Sequence, residues 1–358
     1  MHSAEPPAFA PATEMRFVRG VIVGSGSSGA TPALGCIASP TPCSNCVEAH
    51  RDPRRSKNHR LNVSFLIQLR HPVDGSLHNV LIDCGKTFRE AALKVFPAVG
   101  VAELSAVLLT HDHADALFGL DDMREFNRPD RALDVFADER TVTSMVRVYP
   151  YLFPKDGPLT VGERRHEKTG FVASLACHVF QPLKKVVLNF LCSSTPPSGS
   201  DDRVMSSWSV VPIAVPHGGN YLANAFLIPM HVSGEGPRLL LYLSDMSALE
   251  EKFFTDLAQA KELLGVPDST PIEVLLLDML SRKTYFSHLS VDASIAAARR
   301  IQAGKTYFVG MSHSLNHDDL TRELQGLGLS NRMEVGFDGC VVCVGEANDA
   351  HHSAGSCP

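Results

Sequence analysis

A chain of 358 residues is long enough for one large α/β domain or two small ones. Its composition, 44% apolar and 20% charged with a mean hydropathy near zero, is that of an ordinary globular protein. A net charge of -6 argues against a broad basic surface for nucleic acid, but a small phosphate-bearing substrate needs only a local positive site.

The opening MHSAEPPAFAPATEM is Pro/Ala-rich and lacks the basic start and apolar core of a secretory signal, so residues 1–14 are expected to be a flexible leader. No apolar run approaches the roughly 18 residues of a membrane span. Nine cysteines without an export signal point to thiols or metal ligands in a reducing, cytoplasmic compartment. A homodimer is left open.

From Met15 to Gly24 the chain reads as a strand running into a Gly/Ser-rich turn and then a cysteine-bearing loop, 36–46. Two strands follow, Asn62 to Leu69 and Asn79 to Gly85, joined by a Pro/Asp/Gly/Ser turn. KTFREAALKVF has helical apolar spacing, and Ala106 to Thr110 is a short buried strand. Later buried strands are expected in WSVVPIAVP, YLANAFLIP, RLLLYLSD, IEVLLLDML and KTYFVG. Helices are expected over Ser247–Leu264, Val291–Ala303 and His317–Gln325. Leu191 to Arg203 is a polar loop, and the Gly/Ala/Ser/His-rich residues 346–358 read as a disordered tail. No linker divides 15–345, which suggests one domain of two sheets between helices.

Potential metal ligands sit directly after apolar strands. His111, His113 and Asp115 follow AVLLT; His217 follows VVPIAVP; Asp245 follows LLLYLS; His313 follows YFVGMS. Strand ends let a rigid scaffold hold polar side chains in one cleft, and two histidines two residues apart on extended backbone can turn to one side. Imidazole with carboxylate suits zinc, and also iron or manganese. Taken singly, each has a plainer explanation: Asp245 would serve equally well as a helix N-cap. The HxHxD cluster and the order of the others are what favour metal.

That order resembles the metallo-β-lactamase superfamily, whose signature HxHxDH is followed by a single His, a single Asp and a last His. THDHADA, PHGGN, YLSDMS and GMSHS stand in those places. The resemblance implies a four-layer αβ/βα sandwich with metal at the seam of its sheets. GSGSSGATPALGC and the late MEVGFDGCVV resemble the PhnP-like cyclic phosphodiesterases more closely. In that branch a cysteine-rich loop binds a structural zinc, which here implies Cys36, Cys43 and Cys46, with His317 as fourth ligand. Cys340 and Cys343 lie in a strand pattern that turns them to opposite faces, and are read as small buried residues.

The resemblance assigns His111, His113, His217 and Asp245 to one metal, and Asp115, Asp245 and His313 to a second. Ala116 stands where the family has a further histidine, so the second metal is expected to be held weakly or to be Mn2+ or Fe2+ in place of Zn2+. Asp121 and Asp122 are candidates to reach back and compensate, or else form a solvated acidic turn. With one ligand lost, a working site is expected. The implied reaction is hydrolysis of a small cyclic phosphodiester or nucleotide by a metal-bound hydroxide, with Asp115 orienting it. His288 would protonate the leaving oxygen or hold the phosphate; a helix cap is its plainer role. Lys86 is a weaker phosphate contact. Alternatives are tRNase Z-like RNA processing, thioester hydrolysis, or zinc binding without catalysis.

Overall fold

The computed structural model describes residues 14–126, 132–153, 175–192, 205–231 and 236–342. The strands, in chain order, are β1 (Arg16–Gly24), β2 (Ser64–Arg70), β3 (Leu77–Ile82), β4 (Ala106–Leu108), β5 (Leu133–Asp138), β6 (Leu175–Phe180), β7 (Val186–Leu191), β8 (Met205–Pro216), β9 (Leu222–Met230), β10 (Arg238–Leu243), β11 (Ile272–Asp278), β12 (Lys305–Val309), β13 (Met333–Val335) and β14 (Cys340–Val342). The helices are α1 (Leu34–Ile37), α2 (Ser44–Arg51), α3 (Phe88–Val95), α4 (Ala114–Leu117), α5 (Glu139–Val148), α6 (Glu251–Leu264), α7 (Val291–Ile301) and α8 (His317–Gly326).

The strands form two sheets, ordered β14-β1-β2-β3-β4-β5-β6 and β13-β12-β11-β10-β9-β8-β7. Antiparallel hairpins such as β2–β3 and β8–β9 give way to parallel pairs, β3–β4–β5–β6 and β10–β11–β12–β13, in each half. Between the sheets lies an apolar layer that includes Phe65, Ile67, Phe226, Leu240, Tyr242 and Leu276. The outer face of the first sheet packs on α3 and α5 through residues such as Leu81, Val107, Phe88 and Met145. The second packs on α6, α7 and α8 through Leu241, Leu275, Phe253, Ile295 and Leu320. The central strands are covered on both faces, which is why β10 and β11 read as largely apolar runs and not as alternating ones. The architecture is the four-layer αβ/βα sandwich expected from the sequence.

Some boundaries differ from expectation. The helix expected from Ser247 begins at Glu251, because Ser247 is tied by its N–H and hydroxyl to the Pro216 carbonyl, at 2.7 and 3.1 Å. Leu191 closes β7 and pairs with Met205, so the polar loop begins after it; residues 193–204, the leader 1–13 and the tail from 343 lie outside the described residues. Cys340 is buried as expected, and Cys343 lies outside the described residues. No helix among the described residues is long and apolar enough to cross a membrane.

What matters for the site is where these strands end. Chain reversal after β3, β4, β8, β10 and β12 brings their following residues to one end of the seam. Gly85 allows two of those loops to touch: a Cβ there would lie 2.0 Å from the Asp115 carbonyl oxygen. Replacement of Gly85 by Ala must therefore push the 114–117 turn away. Overpacking of this kind costs about 1–3 kcal/mol, so Gly85→Ala is expected to lower the thermal midpoint of the protein by several degrees, and an unchanged midpoint would show that the turn yields freely.

Candidate metal centre

β4 delivers Thr110 and His111 to the seam, and the geometry of His111 is set from behind. Asp83, at the end of β3, accepts bonds from the Thr110 N–H at 2.9 Å and from its hydroxyl at 2.9–3.0 Å. Because that hydroxyl donates to Asp83, it accepts from His111 Nδ1–H, 2.7 Å away. His111 Nε2 is thus left with a bare lone pair, buried and without a hydrogen-bond partner. Burial pushes the His111 pKa down to about 3, so the ring is neutral and able to coordinate.

His217, after β8, is fixed the same way: its Nδ1 donates to the Ser287 carbonyl at 2.8 Å and its Nε2 faces His113 Nδ1 at 3.2 Å. Burial also lowers the His217 pKa. One ring nitrogen from each of His111, His113 and His217 lies within 4.8 Å of the others. Asp245 Oδ1 is 4.0 Å from His217 Nε2. Burial opposes its ionisation, but the surrounding His111, His217 and His288 outweigh this and hold Asp245 down to about 2. Asp245 is not a helix cap, since α6 starts at Glu251 with Glu250 before it. Three imidazoles, that of His111 carrying an orphaned buried lone pair, together with a carboxylate are a donor set that fits a zinc-type ion.

Of the residues expected to hold a second ion, Asp115 and Asp245 stay together and His313 does not. Asp115 lines the same small cavity, with about 10 Å3 of open space, as His111, Asp245 and His288; burial and Asp245 together raise its pKa. His313 is elsewhere. Its Nδ1 lies 3.4 Å from Cys43 Sγ, and it forms one cluster with Cys36, Cys43 and Cys46. This corrects both expectations for the last histidines: His313, not His317, completes the cysteine set. His317 opens α8 and turns its ring to Phe337, with Nδ1 3.1 Å from Asp318. Nor do Asp121 and Asp122 compensate. Asp121 bonds Arg124 and Tyr151 at 3.0 and 2.9 Å, and Asp122 faces Arg89 at 3.4 Å. Lys86 is exposed.

His288 is drawn inward instead. It is not the helix cap, which is Ser290. Its Nδ1 is 3.0 Å from Asp278, and the ring groups with His217 and Asp245. Burial alone would lower its pKa, but the hydrogen bond to Asp278 and the charges of Asp278, Asp245 and Asp115 outweigh it and push His288 up to about 9. Burial raises Asp278 to about 7.

Several contributing residues carried no recognisable motif. Tyr221 stacks on His113, centroids 4.5 Å apart, and its hydroxyl bonds Asp112, which also accepts from Ser144 at 2.6 Å. Arg140 covers the outer face of Tyr221 at 4.0 Å. Phe286, 78% exposed, stands at the lip against Gly218 and Gly219, where a Cβ would meet its ring at 3.1 Å.

Residues 78–185, including HxHxD, match the β-lactamase superfamily domain. A new diphosphatase from the PhnP family superposes with TM-score 0.62 at 24% identity, over 91% of this chain and 98% of that one. Zn2+-bound PqqB from Methylobacterium extorquens superposes with TM-score 0.59 at 17% identity, over 91% and 100%. This is the metallo-β-lactamase fold. The metallo-β-lactamase fold protein YhfI from Bacillus subtilis gives 0.53 at 14% identity, over 91% and 98%. The octanoyltransferase of Porphyromonas gingivalis is 33% identical over 139 residues, 39% of this chain and 24% of that protein, so the chain spans about a quarter of the relative's length.

In the cysteine cluster, main-chain N–H groups of Cys43, Cys46 and Ala33 point at sulfurs of Cys36, Cys43 and Cys46, at 3.3, 3.5 and 3.3 Å. The Cys43 amide lowers the Cys36 pKa, while burial pushes Cys46 up to about 12. Cys43→Ser and His313→Ala should each remove one zinc equivalent, measured by elemental analysis, while His317→Ala should keep it. Loss with His317→Ala and retention with His313→Ala would reverse the assignment.

Proposed function

We propose that the chain is a metal-dependent hydrolase of small phosphoric diesters, with its working ion held by His111, His113, His217 and Asp245. The carrying observation is the buried, unpartnered Nε2 of His111, held by Asp83 and Thr110 toward the other two imidazoles. Leaving such a nitrogen dry costs about 1–3 kcal/mol, which ligation offsets. Similarity of fold to the PhnP-family diphosphatase supports a phosphorus ester as substrate, in line with the resemblance of GSGSSGATPALGC and MEVGFDGCVV to the PhnP-like cyclic phosphodiesterases.

When bound, such an ion polarises a phosphoryl oxygen and acidifies water. The remaining tasks fall to side chains. Asp115, beside the histidines, is placed to orient the attacking water and accept its proton. His288 carries the opposite role: with Nδ1 engaged by Asp278, its protonated ring presents Nε2–H to the cleft, suited to a phosphate oxygen or a leaving alkoxide. Tyr221, Asp112 and Arg140 keep His113 in register. Phe286 gives the entrance an apolar wall.

A second ion has a poorer set. Ala116 and Gly310 line the cavity beside Asp115 and offer no donor, so only Asp115, the shared Asp245 and His288 remain. One tightly held active-site ion is therefore proposed, of zinc, manganese or iron, besides a zinc on Cys36, Cys43, Cys46 and His313. The substrate is a small phosphodiester, without a membrane or an extended nucleic-acid partner, and the compartment is cytoplasmic.

A panel of cyclic and linear phosphodiesters and thioesters, assayed after reloading with each metal, tests the reaction class. Turnover of phosphodiesters that is abolished in folded His217→Ala is expected. Thioester turnover alone would make this an acyl hydrolase, and no turnover with any metal would leave a binding protein.

The pH profile tests His288. A protonated donor with pKa about 9 is present below that value and lost above it, so activity should fall on the alkaline side through about pH 9. His288→Asn should lower kcat about 10²–10⁴-fold, the usual worth of a general acid, and abolish that limb. An unaltered limb would remove the role.

Metal titration tests the second position. Wild type should show one tight active-site ion, and Ala116→His should gain affinity for another. Two equally tight ions in the wild type would exclude the single-ion arrangement.

A further inference from the structure

At the opposite end of the sandwich from the metal centre is a separate group of donors. β2 runs from Ser64, beside the seam, to Arg70, a length of about 20 Å at 3.3–3.4 Å per residue. The turn that follows is closed by His71 N–H to the Ser76 carbonyl at 2.8 Å and by Gly75 N–H to the His71 carbonyl at 3.0 Å. His71 is 1% exposed. From the other sheet, Cys192 emerges from the edge strand β7 and is also buried. A ring nitrogen of His71, a carboxylate oxygen of Asp74 and the Cys192 sulfur all lie within 4.8 Å of one another.

Two features set this apart from an ordinary turn. First, Asp74 already accepts from Ser76 N–H at 3.1 Å and its hydroxyl at 2.7 Å, which orients the carboxylate, with Oδ1 3.3 Å from His71 Nδ1. Second, His71 Nε2 is buried with no hydrogen-bond partner. His71 Nδ1 accepts from the Val73 N–H at 3.3 Å, so the unpartnered Nε2 carries the ring proton; an ion taken up at Nε2 would shift that proton to Nδ1, on the side of Asp74. Donors around a tetrahedral zinc, at 2.0–2.3 Å from it, stand about 3.3–3.8 Å apart, so a contraction of about 1 Å and a ring adjustment would close the set. Phe190 and His78 wall it in, with ring centroids 5.0 Å apart.

We propose that His71, Asp74 and Cys192 form a further site for a zinc-type ion, one that pins the β2–β3 turn of the first sheet to the edge strand of the second. Mixed nitrogen, oxygen and sulfur donors favour zinc over magnesium or calcium. On binding, Cys192 releases its thiol proton to solvent and the sulfur donates its electron pair to the ion, so uptake liberates one proton and changes no oxidation state. The fourth position falls to water. The role is structural, since the cleft lies the length of β2 away.

The test is zinc stoichiometry at buffered free zinc, measured on full-length protein stripped with a chelator and reloaded. Wild type should take up one equivalent more than His71→Ala, Asp74→Asn or Cys192→Ser. Cys43→Ser should lose a different equivalent, so that Cys43→Ser combined with Asp74→Asn loses two. Should the buried variants fail to fold, Asp74→Asn, which preserves size in a turn, carries the test alone, with its fold checked by circular dichroism and an expected loss of at least tenfold in affinity for that one equivalent. Equal stoichiometry and affinity in wild type and Asp74→Asn would overturn the site, whatever the phosphodiester assays show.

Discussion

A single buried carboxylate organises the candidate metal centre. Asp83 follows β3 with a left-handed backbone (φ 62°), which lets its N–H bond the Leu108 carbonyl of β4 while its side chain turns into the seam. There it takes both hydrogen bonds of Thr110 and a third from Tyr242 of β10, 3.3 Å away. One side chain thus joins two neighbouring strands of the first sheet to the middle of the second. Burial raises its pKa well above the usual range, so the hydrogen bonds are what make its position tolerable. The Thr110 hydroxyl, committed to Asp83, can only accept from His111. The tautomer of His111, the first histidine of the candidate metal centre, is therefore decided by a group outside the donor cluster.

The far side of the seam is braced by a second carboxylate, Asp338. It accepts from Ser25 N–H and hydroxyl at 2.9 and 2.8 Å and from Leu61 N–H at 3.0 Å. These bonds fix the chain as it leaves β1, from which the Ser25 carbonyl receives Gly310 and Met311 N–H after β12. The cysteine cluster grips the same two segments a few residues later, one supplying Cys36, Cys43 and Cys46 and the other His313. The Gly/Ser/Pro-rich loop has little apolar surface with which to order itself, so hydrogen bonds at its root supply part of what packing does not, and the zinc proposed at its tip would supply more.

Much of this was legible in the chain because strand ends are visible in sequence: an apolar run followed at once by His or Asp places that residue at the rim of a sheet. His111, His113, His217 and Asp245 stand at such ends, and the structure brings them together. A residue's position along the chain does not always fix its direction. His313 and His317 are four apart around the start of α8, and spacing alone does not say which faces the cysteines. Asn316 caps α8 with its side chain and bonds Asn45, while Asn45 donates to the His313 carbonyl at 3.0 Å. That pairing, invisible in a single sequence, turns His313 to Cys43 and His317 to Phe337. Tyr221, Asp112 and Asp278 escaped notice for the same reason: each acts through a partner distant in sequence. The edge strands β6 and β7 were missed because they are only half covered and lack long apolar runs.

The altered second position has a physical logic of its own. Gly310 follows β12 with φ 79°, and a Cβ there would come within 2.8 Å of Asp278 Oδ1. A side chain at 310 and the present position of Asp278 thus exclude each other. Asp278 in turn is held by Leu289 N–H at 2.7 Å and engages His288, which it turns toward Asp245. The room that a donor at 310 would need is taken by the carboxylate that orients His288. At the other wall of the same cavity, Ala116 keeps its methyl while its carbonyl accepts Cys84 N–H at 2.8 Å, holding the HxHxD turn against the end of β3. On the single-ion arrangement proposed above, the second set of ligands is not simply depleted. A compact Asp278–His288 pair occupies its ground, and the charge that a second ion would bring is supplied in part by a histidine whose proton is stabilised by three carboxylates.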